Sequence, residues 1–236
     1  MKRKNKNSFM GRTFMNHRSA ILTGMGVWTL LFAASSVSRA DVVLFSNFGP
    51  SFGYNTTGGN PVGNAFDGNN YAQGDTFTPT TSANFSSLDI ALSCAFACPD
   101  NFTVSLDANS SDAPGAALET FAVAGPSLGA LGANNPPLIL NSVMHPLLTA
   151  GTQYWVTVAS DLSNSIAWNW NSTSDTSDEA VSTDGGATWF SPSGLTPGAY
   201  QVNGVQSTTT PEPSASWFLI GLFAAAAAAF RKWRVQ

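Results

Sequence analysis

"QYWVTVAS" (Gln153–Ser160) and "SIAWNWN" (Ser165–Asn171) are separated by only four residues, Asp161 to Asn164. Their reading decides the fold. Tyr154, Val156 and Val158 recur at every second position, as do Ile166, Trp168 and Trp170. A period of two places each set on one face of an extended strand. Asp, Ser and Asn between the runs supply turn chemistry. The pair therefore reads as two β-strands. A Trp stripe in such a strand is read first as core, with stacking on a sugar as the competing reading. Asn169 and Asn171, on the other side, are expected to face solvent or a ligand.

The same vocabulary extends outward in both directions. β-rich runs appear as "VVLFSNF", "DTFTP", "FSSLDIAL", "FTVSLDA", "LETFAVA", "PLILNSVM", "ATWF" and "AYQVNGV", with Gly, Ser, Thr, Asn and Pro between them. No run sustains a 3.6-residue period. Many short strands joined by such loops predict an all-β fold, a β-sandwich of jelly-roll type. No internal repeat is visible.

Charge is segregated along the chain. Of its ten Lys and Arg, seven lie in the first 40 residues and three in the last six. Residues 41–210 contain none, yet hold 13 of the 14 acidic residues, a formal charge of −13. A domain without cations does not neutralise phosphates, which argues against nucleic-acid binding. It also lacks the Arg or Lys that usually grip anionic ligands.

The N-terminus reads as a secretory signal peptide, residues 1–40. A basic segment precedes the apolar run Ala20–Ala34, and small residues Ser38 and Ala40 stand at positions −3 and −1 before Asp41. Met10 and Met15 are alternative starts. At the other end, Ala215–Phe230 is an apolar run of 16 residues. As a helix it would cover roughly 24 Å, less than the ~30 Å hydrocarbon core, with snorkelling basic residues making up the difference. Positive charge after the span predicts a cytoplasmic C-terminus and an exported domain. The expected organisation is a signal peptide (1–40), an exported domain (41–206), a tether (207–213), and a transmembrane span with basic tail (214–236).

Pro211-Glu212-Pro213, a short apolar span, and the basic cluster Arg231, Lys232 and Arg234 together resemble the PEP-CTERM sorting signal of Gram-negative bacteria. Thr210 precedes the motif where many members have Val. The resemblance implies an exosortase-type partner that cuts near the motif, so that the membrane span is temporary. It also implies a place in the cell envelope, at the surface or in an extracellular polysaccharide matrix. In the exported part, "APGAALETF", "LTAGTQYWVTV", "WNWNSTS" and "STDGGATW" are similar to the choice-of-anchor R family of exported β-sandwiches. That likeness implies a surface or secreted β domain and carries no activity.

Cys94 and Cys98 are the only cysteines, and export makes a disulfide between them the expectation. Four extended steps would hold their Cα atoms about 13 Å apart, so Ala95–Ala97 must turn if the two pair. Ser182, Asp184, Gly186, Thr188 and Trp189 fit the Asp-box pattern S-x-D-x-G-x-T-W, read as a structural turn. One copy does not make a propeller.

Catalysis has little support. His145 is the exported domain's one histidine; "GPSFG" (Gly49–Gly53) and "GPSLG" (Gly125–Gly129) have the letters of a G-x-S-x-G elbow, but neither opens a helical run. Two acidic stretches, Asp67–Asp75 and Asp175–Glu179, read as loops whose oxygens would suit calcium, with Asp67, Asp75, Asp175, Asp178 and Glu179 as candidate ligands. The competing reading is a pair of solvated acidic loops. No other cofactor is expected. The preferred reading is a non-enzymatic exported protein with a structural or adhesive role. The alternatives are a carbohydrate-binding module and a glycoside hydrolase using a carboxylate pair.

Overall fold

The computed structural model describes residues 38–64, 68–161 and 163–208. Residues 1–37, Asp67 and the entire tail from residue 209 lie outside the described residues. The signal segment up to residue 37, the Pro211-Glu212-Pro213 motif, the apolar run and its basic cluster are therefore not placed.

The described chain is all-β. Its strands are β1 (Ser38–Ser46), β2 (Tyr54–Gly63), β3 (Ala72–Phe77), β4 (Ala83–Ile90), β5 (Leu92–Cys94), β6 (Asn101–Asn109), β7 (Pro114–Ala124), β8 (Leu138–Asn141), β9 (Leu147–Leu148), β10 (Tyr154–Ala159), β11 (Ser165–Asn171), β12 (Glu179–Ser182) and β13 (Tyr200–Thr208). Every ladder between these strands is antiparallel. One sheet runs β1-β13-β4-β8, with β9 also against β4. A second runs β12-β3-β10-β6-β7, and a third, of three strands, runs β2-β11-β5.

Alternation builds the core. Tyr154, Val156 and Val158 all lie in it, as their spacing predicts. Phe45 on β1 meets Phe77 on β3 with ring centroids 5.9 Å apart, and Phe85 on β4 meets Phe121 on β7 at 6.3 Å. These contacts join the first sheet to the second. The third sheet adds Val62, Leu92, Ile166 and Trp168 to the same cluster. Each large side chain buried this way contributes roughly 1.5–3 kcal/mol. Tyr200 brings a polar tip into the core, and its hydroxyl donates to Thr76 O at 2.7 Å.

Most of the anticipated runs form strands, but two local readings are corrected. "ATWF" contributes only an isolated bridge, Val181 with Phe190, because the preceding Asp-box turn spends its backbone groups locally. Asn169 and Asn171 do not face solvent. β11 lies between β2 and β5, and a register shift falls between these two residues. Asn169 Oδ1 accepts from Ser93 Oγ at 2.7 Å, and Asn171 Nδ2 donates to Pro197 O at 2.9 Å. Both amides are buried and committed to the fold.

β1 and β13 bring the two ends of the domain together: Ser38 pairs with Thr208, Ala40 with Gln206 and Asp41 with Val205. Pairing thus starts three residues before the expected cleavage point and continues two residues into the expected tether.

Candidate functional site

β3 is buried along its whole length, although it includes Gln73 and Asp75. Alternation sets Asp75 on the face of Phe77, towards the core. The antiparallel register then places Glu179 on β12 directly opposite Asp75. Both side chains are deeply buried, Asp75 at 1% exposure and Glu179 at 4%. The two stretches read as acidic loops therefore each end inside a strand. The solvated-loop reading holds for exposed residues such as Asn69 and Asp178 but not for the ends of the two stretches, because the pairing of β3 with β12 draws Asp75 and Glu179 under the sheet edge.

Asp75 Oδ2 accepts from the Gly198 amide at 2.8 Å. Asp175 Oδ2 accepts from Asn47 Nδ2 at 3.0 Å and from Ser177 Oγ at 2.8 Å. Asn47 ties the group together: its Nδ2 also donates to Gly198 O, and its Oδ1 accepts from the Tyr200 amide, each at 2.8 Å. Glu179 differs from its neighbours, since both of its carboxylate oxygens are enclosed with no hydrogen-bond partner. No Lys or Arg exists in residues 41–208 to compensate the cluster.

The electrostatic consequence follows. Burial, then the Glu179 charge, push the Asp75 carboxyl well above the usual range against the Gly198 hydrogen bond. Burial and the Asp175 charge push Glu179 up to about 7. Tyr200 is raised by burial and by the same two aspartates, Asp75 and Asp175. Asp178 points outward and is exposed. Among the described residues, no group of three or more His, Cys, Asp or Glu could hold a metal ion. Three of the five calcium candidates thus share one neighbourhood without forming such a group.

The Asp-box residues close on themselves. Ser182 Oγ and Thr188 Oγ1 each donate to the Asp184 carboxylate at 2.7 Å, and the Gly186 amide donates to Ser182 Oγ at 2.8 Å. Gly185 and Gly186 take φ of 79° and 97°, which a side chain would resist. Hydrogen bonds from Thr188 and Ser182 hold Asp184 down to about 2. Trp189, half-buried, lies beside Gly186. This carboxylate is occupied in the turn.

Cys94 and Cys98 form the disulfide, with Cα atoms 5.9 Å apart. The chain leaves β5 at Cys94 and bends, with the Ala95 amide donating to Ser165 O at 2.8 Å. His145 stands at the end of a tight loop. Its Nδ1 lies 3.1 Å from Phe85 O, and Glu119 holds the loop by accepting from Ser142 Oγ at 2.6 Å and from the Val143 amide at 2.6 Å. This arrangement serves the loop and aligns no nucleophile with the imidazole.

Among the described residues no Trp or Tyr is exposed: Trp155, Trp168, Tyr154 and Tyr200 are buried, and Trp170, Trp189, Tyr54 and Tyr71 are half-buried. A flat indole platform is therefore absent from the described surface. What sequence reasoning missed is a turn at residues 49–53. There Ser51 and Phe52 take φ of 56° and 58°, and Phe52 is 46% exposed. Phe48 packs beside Phe52 at 5.4 Å and beside Tyr54 at 6.2 Å, both edge-on.

On the first sheet, Val43, Asn203, Ser87 and Asn141 fall in one register row and line a cavity of about 380 Å³ together with Asp41. Its lining includes two asparagines and two serines, Ser86 and Ser87, with Asp41 its sole titratable residue.

No family model, curated protein or solved structure matches the chain.

Proposed function

We propose that this chain is an exported, non-enzymatic β-sandwich of jelly-roll type, delivered to the cell envelope or surface by its C-terminal sorting signal. Its role there is structural or adhesive, in contact with extracellular polysaccharide. Setting aside the third sheet, β2-β11-β5, and counting β8 and β9 as one interrupted strand, the eight remaining principal strands run first-eighth-third-sixth in one sheet. In the other they run second-seventh-fourth-fifth, with β12 added at the edge. That order is the connectivity of a jelly roll and supports the sandwich reading.

The pairing of Asp41 with Val205 supports the sorting proposal, because it sets the first residue of the exported domain beside the strand from which the tail leaves. A leader before β1 and an anchor after β13 leave the domain side by side. A domain tethered this way hangs from one point, which suits surface display. The buried positions of Asp75 and Glu179 favour a non-enzymatic reading over the hydrolase, because a glycosidase pair must reach its substrate. Mass spectrometry of the protein from a host with an exosortase tests the sorting proposal. Cleavage near Pro211-Glu212-Pro213 is expected; an intact Gln236 on mature protein would overturn it.

Carbohydrate binding is favoured as a second reading by the turn at residues 49–53. Ser51 and Phe52 share positive φ, as Ser111 and Asp112 do in the β6–β7 turn, so it is the exposed Phe52 ring, not the backbone, that favours this reading. An outward aromatic in a domain without cations fits a neutral, polyhydroxylated ligand better than an anionic one. A glycan array read with the exported domain and its Phe52→Ala variant decides: binding lost in the variant supports this reading, and no binding by either removes it.

A further inference from the structure

We propose that a transverse groove on the outer face of the first sheet, lined by Asp41, Val43, Ser86, Ser87, Asn141 and Asn203, binds a neutral oligosaccharide segment of the surrounding polysaccharide. This rests on the proposed contact with extracellular polysaccharide and names where that contact is made.

The backbone makes the groove. β13 runs between β1 and β4, and both ladders shift register beside one residue, Asn203. On β1 the pairing passes from Val43 to Phe45 and leaves Leu44 as an extra residue. On β4 it passes from Ser87 to Phe85 and leaves Ser86. An extra residue bends its strand and sharpens the local twist, and bulges are common beside active sites, where they re-aim side chains. Here two of them flank the same row, and β8 ends in that row at Asn141. The cavity of about 380 Å³ opens along it. That size falls within the ~300–1,000 Å³ of ligand sites. At ~4.8 Å between neighbouring strands, the row Val43, Asn203, Ser87 and Asn141 spans about 14 Å. Such a length suits several linked sugar rings better than a single ring.

The side chains set the ligand class. Asn203 is fixed: its Nδ2 donates to Ser87 Oγ and to Asp89 Oδ2, each at 3.1 Å, and its Oδ1 accepts from Gln201 Nε2 at 2.8 Å. Ser87 Oγ is thereby held as an acceptor, and its own hydrogen is left to donate outward. Asn141 is exposed, and neither its amide nor the Ser86 hydroxyl is engaged by a side-chain hydrogen bond among the described residues. Val43, 53% exposed, offers an apolar contact beside them. Neutral donors and acceptors next to an apolar contact match a ligand that alternates hydroxyls with C–H edges.

Other ligand classes fit less well. Residues 41–208 hold no Lys or Arg to pair with an anion. In the chain cleaved before Asp41, the new α-ammonium offsets the Asp41 carboxylate, so that end of the groove carries no net charge. One carboxylate among neutral amides is a poor site for a hard cation, which takes about six to eight oxygens. No Trp or Tyr is exposed among the described residues, so hydrogen bonds rather than stacking carry the selectivity. The outward Phe52 lies outside this lining, so mutation separates the two sites.

Glycan-array binding by the full exported chain, solubilised in detergent, tests this with Asn141→Ala, Val43→Ala and Phe52→Ala beside wild type. The wild type should bind neutral oligosaccharides. Asn141→Ala should weaken the best of them about fivefold, the loss of one hydrogen bond. Val43→Ala should weaken it too, while Phe52→Ala should bind as wild type. Both groove side chains are exposed, so their variants should melt as wild type does. Should one melt early, the other answers the same question. No glycan bound by the wild type overturns the groove together with the polysaccharide contact it rests on. Binding unchanged in Asn141→Ala and Val43→Ala keeps the contact and overturns the groove, as does binding lost only in Phe52→Ala. Binding confined to charged glycans overturns the assignment to a neutral sugar.

Discussion

A methyl group added to Gly58 would lie 2.3 Å from Cζ3 of Trp170. The indole lies over a glycine of the neighbouring strand, and its Nε1 donates to Asn60 Oδ1 at 2.9 Å on that same strand. β2 can pair with β11 at this register because position 58 has no side chain. Gly58→Ala, ordinarily favourable in a strand, should therefore destabilise the domain by about 1–3 kcal/mol through overpacking. Urea unfolding checks the size. A Gly58→Ala/Trp170→Ala pair should cost less than the sum of the two single changes, because they share one contact.

Trp168 on β11 is fully buried and packs against Tyr200 with ring centroids 5.7 Å apart. If it is core, as this packing indicates, Trp168→Ala costs about 3–5 kcal/mol. Thermal unfolding should show the loss, while any glycan binding by the still-folded fraction should persist.

The Cys94–Cys98 bridge closes a very short loop. On the chain-entropy account a loop of that size contributes about 2 kcal/mol. The Cys94→Ser/Cys98→Ser double variant should lose about that much in urea unfolding. Non-reducing peptide mapping of exported protein should return the two cysteines on one bridged fragment.

Glu119 on β7 accepts three hydrogen bonds from one loop, from Ser142 Oγ, Val143 N and Met144 N. Burial pushes its carboxyl up, but these bonds and the His145 charge outweigh it and hold it below the ordinary 4.5. A depressed carboxyl contributes stability that is present above its ordinary pKa and lost as pH falls through the depressed one. Glu119→Gln should cost about 1.5–3 kcal/mol at pH 7, the range for hydrogen bonds to a charged group, and the gap to wild type should narrow in acid. Equal melting curves at pH 7 would show the loop is held by other means.

The sequence by itself determined the all-β class and most of its strands. The cause is local: alternation such as Tyr154, Val156 and Val158 works only in an extended chain with one face buried. The disulfide was legible too, because Cys94 and Cys98 have no other partner and four residues can turn. The Asp-box turn was legible because its hydrogen bonds run between residues at most four apart.

The tertiary structure alone decided what depends on distant partners. β2, "YNTTGGNPVG", reads as a loop, with two adjacent glycines, a proline and no alternation. It is a strand because β11 supplies its hydrogen bonds and because the Trp168 backbone and the Trp170 ring require glycine at 58 and 59. Asn169 and Asn171 look like surface amides until β5 and the Pro197 segment cover them. Asp75 and Glu179 are more than 100 residues apart, and each looks like the end of a solvated acidic loop. Only the register of β12 on β3 puts them face to face under the sheet edge. Side-chain period sets which face a residue takes, but which strand lies alongside is fixed by long-range packing, which no local pattern encodes.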